Sequence, residues 1–143
     1  MNRLVIDASV AIKWVVEEVG TADALALLSH RSLTAPDLMV AECANILWKK
    51  VHRGELTARE AQLSAQIIAR ADIELYPMRA LLEPATRLAI ELAHPAYDFL
   101  YLALALANDW QFVTADLAFI AKVRASSPRI AQSVLALDAA AKA

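Results

Sequence analysis

Short aliphatic runs alternate along the chain with longer stretches whose apolar residues recur every third or fourth position. Leu4–Ile6 predicts a strand. Ala8–Glu18 predicts a helix, with Val10, Trp14 and Val15 at helical spacing. Gly20 stops it, and Thr21 is placed to cap a second helix from Ala22 to His30. Ser32–Ala35 predicts a second strand. Asp37 follows Pro36 as an N-cap for a long helix carrying Leu38, Met39, Glu42 and Ile46, with Lys49 or Lys50 further along. Basic residues crowd its end and Gly54 closes it. Thr57 and Glu60 have capping-box spacing, opening a helix through Arg70. Ile73–Tyr76 predicts a third strand, stopped by Pro77. A helix over Leu81–Ala93 tolerates Pro84 near its start. "PAYDFLYLALALANDW" predicts a helix that is apolar on nearly every side and therefore buried. Gln111–Thr114 predicts a fourth strand, Asp116–Arg124 a helix, and Ser133–Leu137 a fifth strand. The terminal "AAAKA" reads as a frayed end.

This alternation implies an α/β fold, a central parallel sheet of about five strands with helices on both faces. No repeat, low-complexity tract or linker interrupts it, so residues 1–143 read as one domain.

Composition narrows the class. Hydrophobic residues make up 59% of the chain, which excludes a disordered tail. A net charge of -2 gives no sign of a basic nucleic-acid binder, although an enzyme that grips phosphates through metal ions needs fewer basic side chains. One cysteine, Cys43, permits no internal disulfide and suits a reducing compartment. Asp7 breaks the early apolar run, so no signal peptide is read there. The uncharged run Phe99–Ala107 is far short of the roughly 20 residues that span a bilayer. These features are those of a cytoplasmic protein with no membrane segment.

The acids carry the candidate chemistry. Sites in open parallel sheets form outside the carboxyl ends of the strands. Asp7 ends the first strand, and Asp116 follows the fourth. Glu42 lies in the first turns of the helix after the second strand, and Asp98 near the start of the apolar helix. All four can therefore converge at one sheet edge. Gathered carboxylates repel one another, and a divalent cation relieves that repulsion. Mg²⁺ and Mn²⁺ favour carboxylate and water oxygens. Such a site suits phosphodiester hydrolysis, because the metal acidifies water and stabilises charge on phosphate oxygens.

Each acid also has a plainer reading. Asp7 and Asp116 stand where helix N-caps stand, and Glu42 is favoured near any helix N-terminus. Asp98 is harder to dismiss, because apolar neighbours surround it and no Lys or Arg nearby in sequence offers a partner. Ser9, Asn45 and Thr114 are placed to hydrogen-bond a ligand carboxylate or water. A local backbone bond is the competing reading for each.

Four segments, "VIDASV", "APDLMVAECANIL", "AYDFLYLALA" and "FVTADLAF", in this order and spacing, resemble PIN-domain ribonucleases. The resemblance is specifically to VapC-type toxins of toxin–antitoxin pairs and covers essentially the whole chain. It implies a PIN-like three-layer fold in which Asp7, Glu42, Asp98 and Asp116 form an acidic metal site, with Asp7 and Asp98 the first candidates for direct ligands. It further implies Mg²⁺ or Mn²⁺, endonucleolytic cleavage of RNA, a homodimer, and inhibition by a cognate VapB-type antitoxin. The antitoxin complex, not the toxin alone, would bind operator DNA.

Other residues add less. Lys13, Lys49, Lys50 and Arg53 are candidates for phosphate contacts. Trp14, Trp48 and Trp110 can stack bases but more commonly fill a core or interface. Apolar residues on the middle helices beyond what one domain buries would serve a dimer contact or an antitoxin groove. His30, His52 and His94 share no metal-ligand spacing and read as surface or dipole-compensating residues. Cys43 reads as packed and inert. Two other functions remain open: a catalytically silent PIN-fold binding module, and an aspartyl phosphotransferase with Asp7 as nucleophile. The second lacks a companion aspartate two residues on, where Ser9 stands.

Overall fold

The computed structural model describes residues 3–143. Its strands are β1 (Leu4–Ile6), β2 (Leu33–Pro36), β3 (Ile73–Tyr76), β4 (Gln111–Thr114) and β5 (Val134–Ala136). Its helices are α1 (Ala8–Ala11), α2 (Thr21–His30), α3 (Leu38–His52), α4 (Ala58–Ala69), α5 (Leu82–Leu92), α6 (Tyr97–Asn108), α7 (Leu117–Ser126), α8 (Pro128–Ala131) and α9 (Leu137–Lys142). All strands pair in parallel, in the order β3-β2-β1-β4-β5. The chain moves outward from β1 to β3, then returns past β1 to β4. Connections of one hand then place the helices between β1 and β3 on one face of the sheet and those between β3 and β5 on the other. The strand order reverses between β1 and β4, where open α/β sheets leave a crevice.

Every residue of β1 is buried, as are Phe112, Val113 and Thr114 of β4. This is why Leu4–Ile6 reads as a continuous apolar run rather than an alternating one. Helix α6 lies over β1, β2 and β4. Its Phe99 and Tyr101–Ala105 are all buried, as its all-round apolar sequence predicts. Phe119 of α7 meets Phe99 edge-on at 5.3 Å between ring centroids. The capping box at Thr57 and Glu60 forms with both reciprocal bonds, at 3.1 and 2.8 Å.

Four local expectations need correcting. The helix expected over Ala8–Glu18 ends at Ala11 and continues only as a 3-10 turn over Ile12–Trp14. Tertiary bonds take over there: the Trp14 indole donates to the Ala24 carbonyl at 3.0 Å. Thr21 does not cap α2. Its hydroxyl donates to the Val16 carbonyl and accepts from the Glu18 amide, both at 3.0 Å, and so ties down the preceding turn. Asp37 makes no side-chain cap to α3; its backbone amide instead donates to Tyr76 at 2.9 Å. The "AAAKA" end is helical through Lys142, because Leu137 and Ala140 are buried and α9 packs against α2.

Candidate active site

Asp7 sits where β1 stops. Its backbone is still extended, and its side chain turns to cap α1. Ser9 Oγ donates to Asp7 Oδ1 at 2.5 Å and the Val10 amide to the same oxygen at 3.3 Å. Ile6 pairs with Val113, so the next residues, Asp7 and Thr114, come side by side. Thr114 Oγ1 donates to Asp7 Oδ2 at 2.6 Å. Burial pushes the Asp7 carboxyl up to about 6, opposed by the Ser9 and Thr114 bonds and reinforced by the charge of Asp98. The two hydroxyls are themselves fixed. Ser9 Oγ accepts from the Ala115 amide at 3.3 Å, and Thr114 Oγ1 from the Asp116 amide at 3.1 Å.

Asp116 caps α7, accepting from the Phe119 amide at 3.0 Å. Asp98, in the first turn of α6, is half-buried. Its carboxyl is raised by burial, then by the charge of Asp116, with Glu42 adding a smaller push. Its side-chain neighbour is one the sequence reading missed: His94 Nε2 lies 3.7 Å from Asp98 Oδ2. His94 also packs against Phe99 and Phe119 at 5.6 and 5.3 Å between ring centroids, so it is only partly exposed. Glu42, in the second turn of α3, accepts a hydrogen bond from the Tyr101 hydroxyl. Tyr101 was also missed. Its ring is fully buried and stacked on Phe112. Burial, the bond to Glu42 and the nearby charges hold its hydroxyl firmly protonated. A tyrosine amid the apolar residues of a buried helix needs an acceptor, and that was the available signal.

Asp7, Ser9, Glu42, Asn45, Lys49, Asp98 and Asp116 line one cavity of about 260 Å³. All four acids are thus brought together, with Ser9 and Asn45 at the same wall. Thr114 lies beneath Asp7 and acts on the cavity through it. Among the described residues, no three His, Cys, Asp or Glu side chains are gathered into a ready-made metal cage. The four acids line the cavity without forming such a cage. Their donor set is carboxylate oxygen only, and Asp7 and Asp98 each carry the repulsion of neighbouring acids. That chemistry fits a small hard cation that keeps several of its waters.

The basic candidates separate. Lys13 is tied to Glu18 at 3.1 Å and to the Val19 carbonyl at 2.7 Å. Lys50 is held between Glu18 and Glu55 at 3.4 and 3.6 Å. Lys49 alone of the four expected phosphate contacts lines the acidic cavity. Trp14 is packed through its bond to Ala24, and Trp110 lies edge-on to Tyr76 at 6.0 Å. Trp48 is 59% exposed and stacks on His52. Burial pushes the Cys43 thiol up to about 12, so it stays protonated and inert. Among the described residues no helix is long and apolar enough to cross a membrane.

A PIN domain model matches residues 4–125. The chain is 32% identical over 114 residues to VapC ribonuclease Mb0985 of Mycobacterium bovis, covering 80% of this chain and 86% of that protein. It is 31% identical over 117 residues to ribonuclease VapC3 of Pyrobaculum aerophilum, covering 80% and 89%. The fold is similar to the crystal structure of PAE2754 from Pyrobaculum aerophilum, with a TM-score of 0.76 at 20% identity over 99% of this chain and 93% of that one. The sheet order, the acids at its reversal and these matches agree: the chain belongs to the PIN-domain family, among the VapC-type ribonucleases.

Proposed function

We propose that this chain is a divalent-metal-dependent endoribonuclease, a toxin restrained by a cognate VapB-type antitoxin. The observation that carries the reading is the single cavity lined by four acids from four distant segments. Asp7 and Asp98 are read as direct ligands of Mg²⁺ or Mn²⁺, with Glu42 and Asp116 completing the acidic ring. Bound there, such an ion supplies charge to offset that building on the phosphate oxygens and acidifies water at the site. Ser9 and Thr114 fix both oxygens of Asp7 from behind, so the carboxylate meets its ligand already oriented. Asn45, one turn after Glu42, is placed to hydrogen-bond a water or the RNA strand. Lys49 extends the same helix face and offers a cation to a neighbouring phosphate.

The antitoxin reading is supported by apolar surface that the domain leaves open. Met39, Val40, Leu47, Ile68 and Leu75 help line a cleft of about 310 Å³ between α3, α4 and the edge strand β3. Of these, Val40 and Leu75 are exposed, as are Leu63 and Ile67 of α4. A homodimer, and operator DNA contacted only through the antitoxin complex, belong to the same reading.

The test uses the purified chain, free of any partner, with single-stranded RNA. Cleavage is expected with Mg²⁺ or Mn²⁺ and none in EDTA. Asp7→Asn and Asp98→Asn are each expected to lower the rate on the order of a hundredfold or more. RNA left intact under all conditions, with antitoxin binding preserved in both variants, would instead make the chain a silent binding module.

A further inference from the structure

Three of the four acids at the cavity, Asp7, Glu42 and Asp116, accept a hydrogen bond from the protein. For Asp7 and Asp116 that donor comes from the strand ends and helix starts that place the acid itself. Glu42 differs. It sits on α3, which packs against α1, α4 and β2, while Asp98 sits on α6 across the cavity. Among the described residues, the one side-chain bond joining these two helices at the site is the Tyr101 hydroxyl donating to Glu42 Oε1. Tyr101 is one turn after Asp98 on α6, so the same helix face presents Asp98 and grips Glu42.

The Tyr101 ring cannot easily move. It is fully buried and stacked on Phe112 at 5.5 Å with planes 9° apart. Phe112 is in register with Val5 of β1, the strand that delivers Asp7. Glu42 is thereby referred to the same sheet that fixes Asp7. Without the hydroxyl, a half-buried glutamate on a helix surface has several rotamers open to it.

We propose that Tyr101 is a positioning residue of this site: its hydroxyl locks Glu42 in the orientation that completes the acidic ring for a divalent cation. This rests on reading the four acids as a metal site. A plainer possibility is a buried hydroxyl that merely satisfies itself on the nearest acceptor, and the two predict different things.

Tyr101→Phe keeps the ring and its stacking and removes only the hydroxyl. Mn²⁺ binding to the purified chain, measured by calorimetry without RNA, is expected to weaken about 10-fold. In the RNA assay kcat is expected to fall with KM for RNA unchanged, since the hydroxyl faces Glu42 and not the substrate. Glu42→Gln should weaken Mn²⁺ binding too, and the double variant Tyr101→Phe/Glu42→Gln should be no weaker than Glu42→Gln alone. Wild-type Mn²⁺ affinity and kcat in a folded Tyr101→Phe chain would overturn the proposal, as would losses that add in the double variant. Mn²⁺ affinity that is unaltered by Asp7→Asn and Asp98→Asn as well would show that the metal-site reading itself had failed, and the proposal with it.

Discussion

At Asp7 one carboxylate serves as helix cap and as candidate ligand, and both roles favour the ionised form that its burial opposes. Its bonds to Ser9, Val10 and Thr114 favour the ionised form, but burial outweighs them and raises the folded value to about 6. The usual unfolded value is 3.8. The folded state therefore binds more protons between those two values, and stability falls as pH rises through that window. The cost is absent below the window and fully present above it, at most about 3 kcal/mol. Asp7→Asn removes the charge and keeps a group that can bond to both hydroxyls. In EDTA at pH 7.5 it is expected to be more stable than the parent by about 1–3 kcal/mol. That advantage should vanish as the pH is lowered towards 4. Calorimetric melts across this range check it, and an advantage independent of pH would refute the assignment.

Along α3, neighbouring residues do different work because successive side chains point about 100° apart. Lys49 faces the acidic cavity, whereas Lys50 is drawn into ion pairs with Glu18 and Glu55. Lys49→Ala is expected to raise KM for RNA several-fold, with an effect that fades as salt increases. Lys50→Ala should leave KM alone and lower stability by no more than about 1 kcal/mol. On α4, remote from the cavity, Thr57→Ala should cost about 1 kcal/mol with cleavage unchanged, because it removes half of a capping box. These elements also mark how far the sequence could be read. Helices α3, α4 and α6 announced themselves through long periodic or all-apolar stretches, and the five strands through short aliphatic runs. The acids were legible because strand ends and first helix turns are where such sheets place their sites. Tyr101 and His94 were not, since their meaning depends on Glu42 and Asp98 approaching from across a turn or another helix. The short α1 was misjudged because Trp14 and Thr21 bond to partners that local periodicity does not reveal. The helix α9 was missed because an alanine-rich end gains its reason to fold from α2.

At the scale of the molecule, the fold gathers acids that its own charge balance cannot neutralise. Net charge is only -2, but the carboxylates around the cavity belong to both halves of the sheet, two delivered before the strand order reverses and two after. Closing the fold therefore brings like charges together, and a cation bound between them should act on global stability as well as on chemistry. A ligand that binds the folded state alone, at a hundredfold its dissociation constant, adds about 2.7 kcal/mol. Mg²⁺ or Mn²⁺ is thus expected to raise the melting temperature of the parent chain, while Asp7→Asn and Asp98→Asn respond little. In EDTA at pH 7.5 Asp7→Asn should melt above the parent; in saturating metal the gap should close or invert. Ca²⁺ at the same ionic strength serves as a control for size, and Na⁺ for screening. A parent chain whose melting temperature moves equally with Na⁺ and Mg²⁺ would mean that the acids meet only a diffuse ion atmosphere, and the cavity at the β1–β4 reversal would lose its claim to be a metal site.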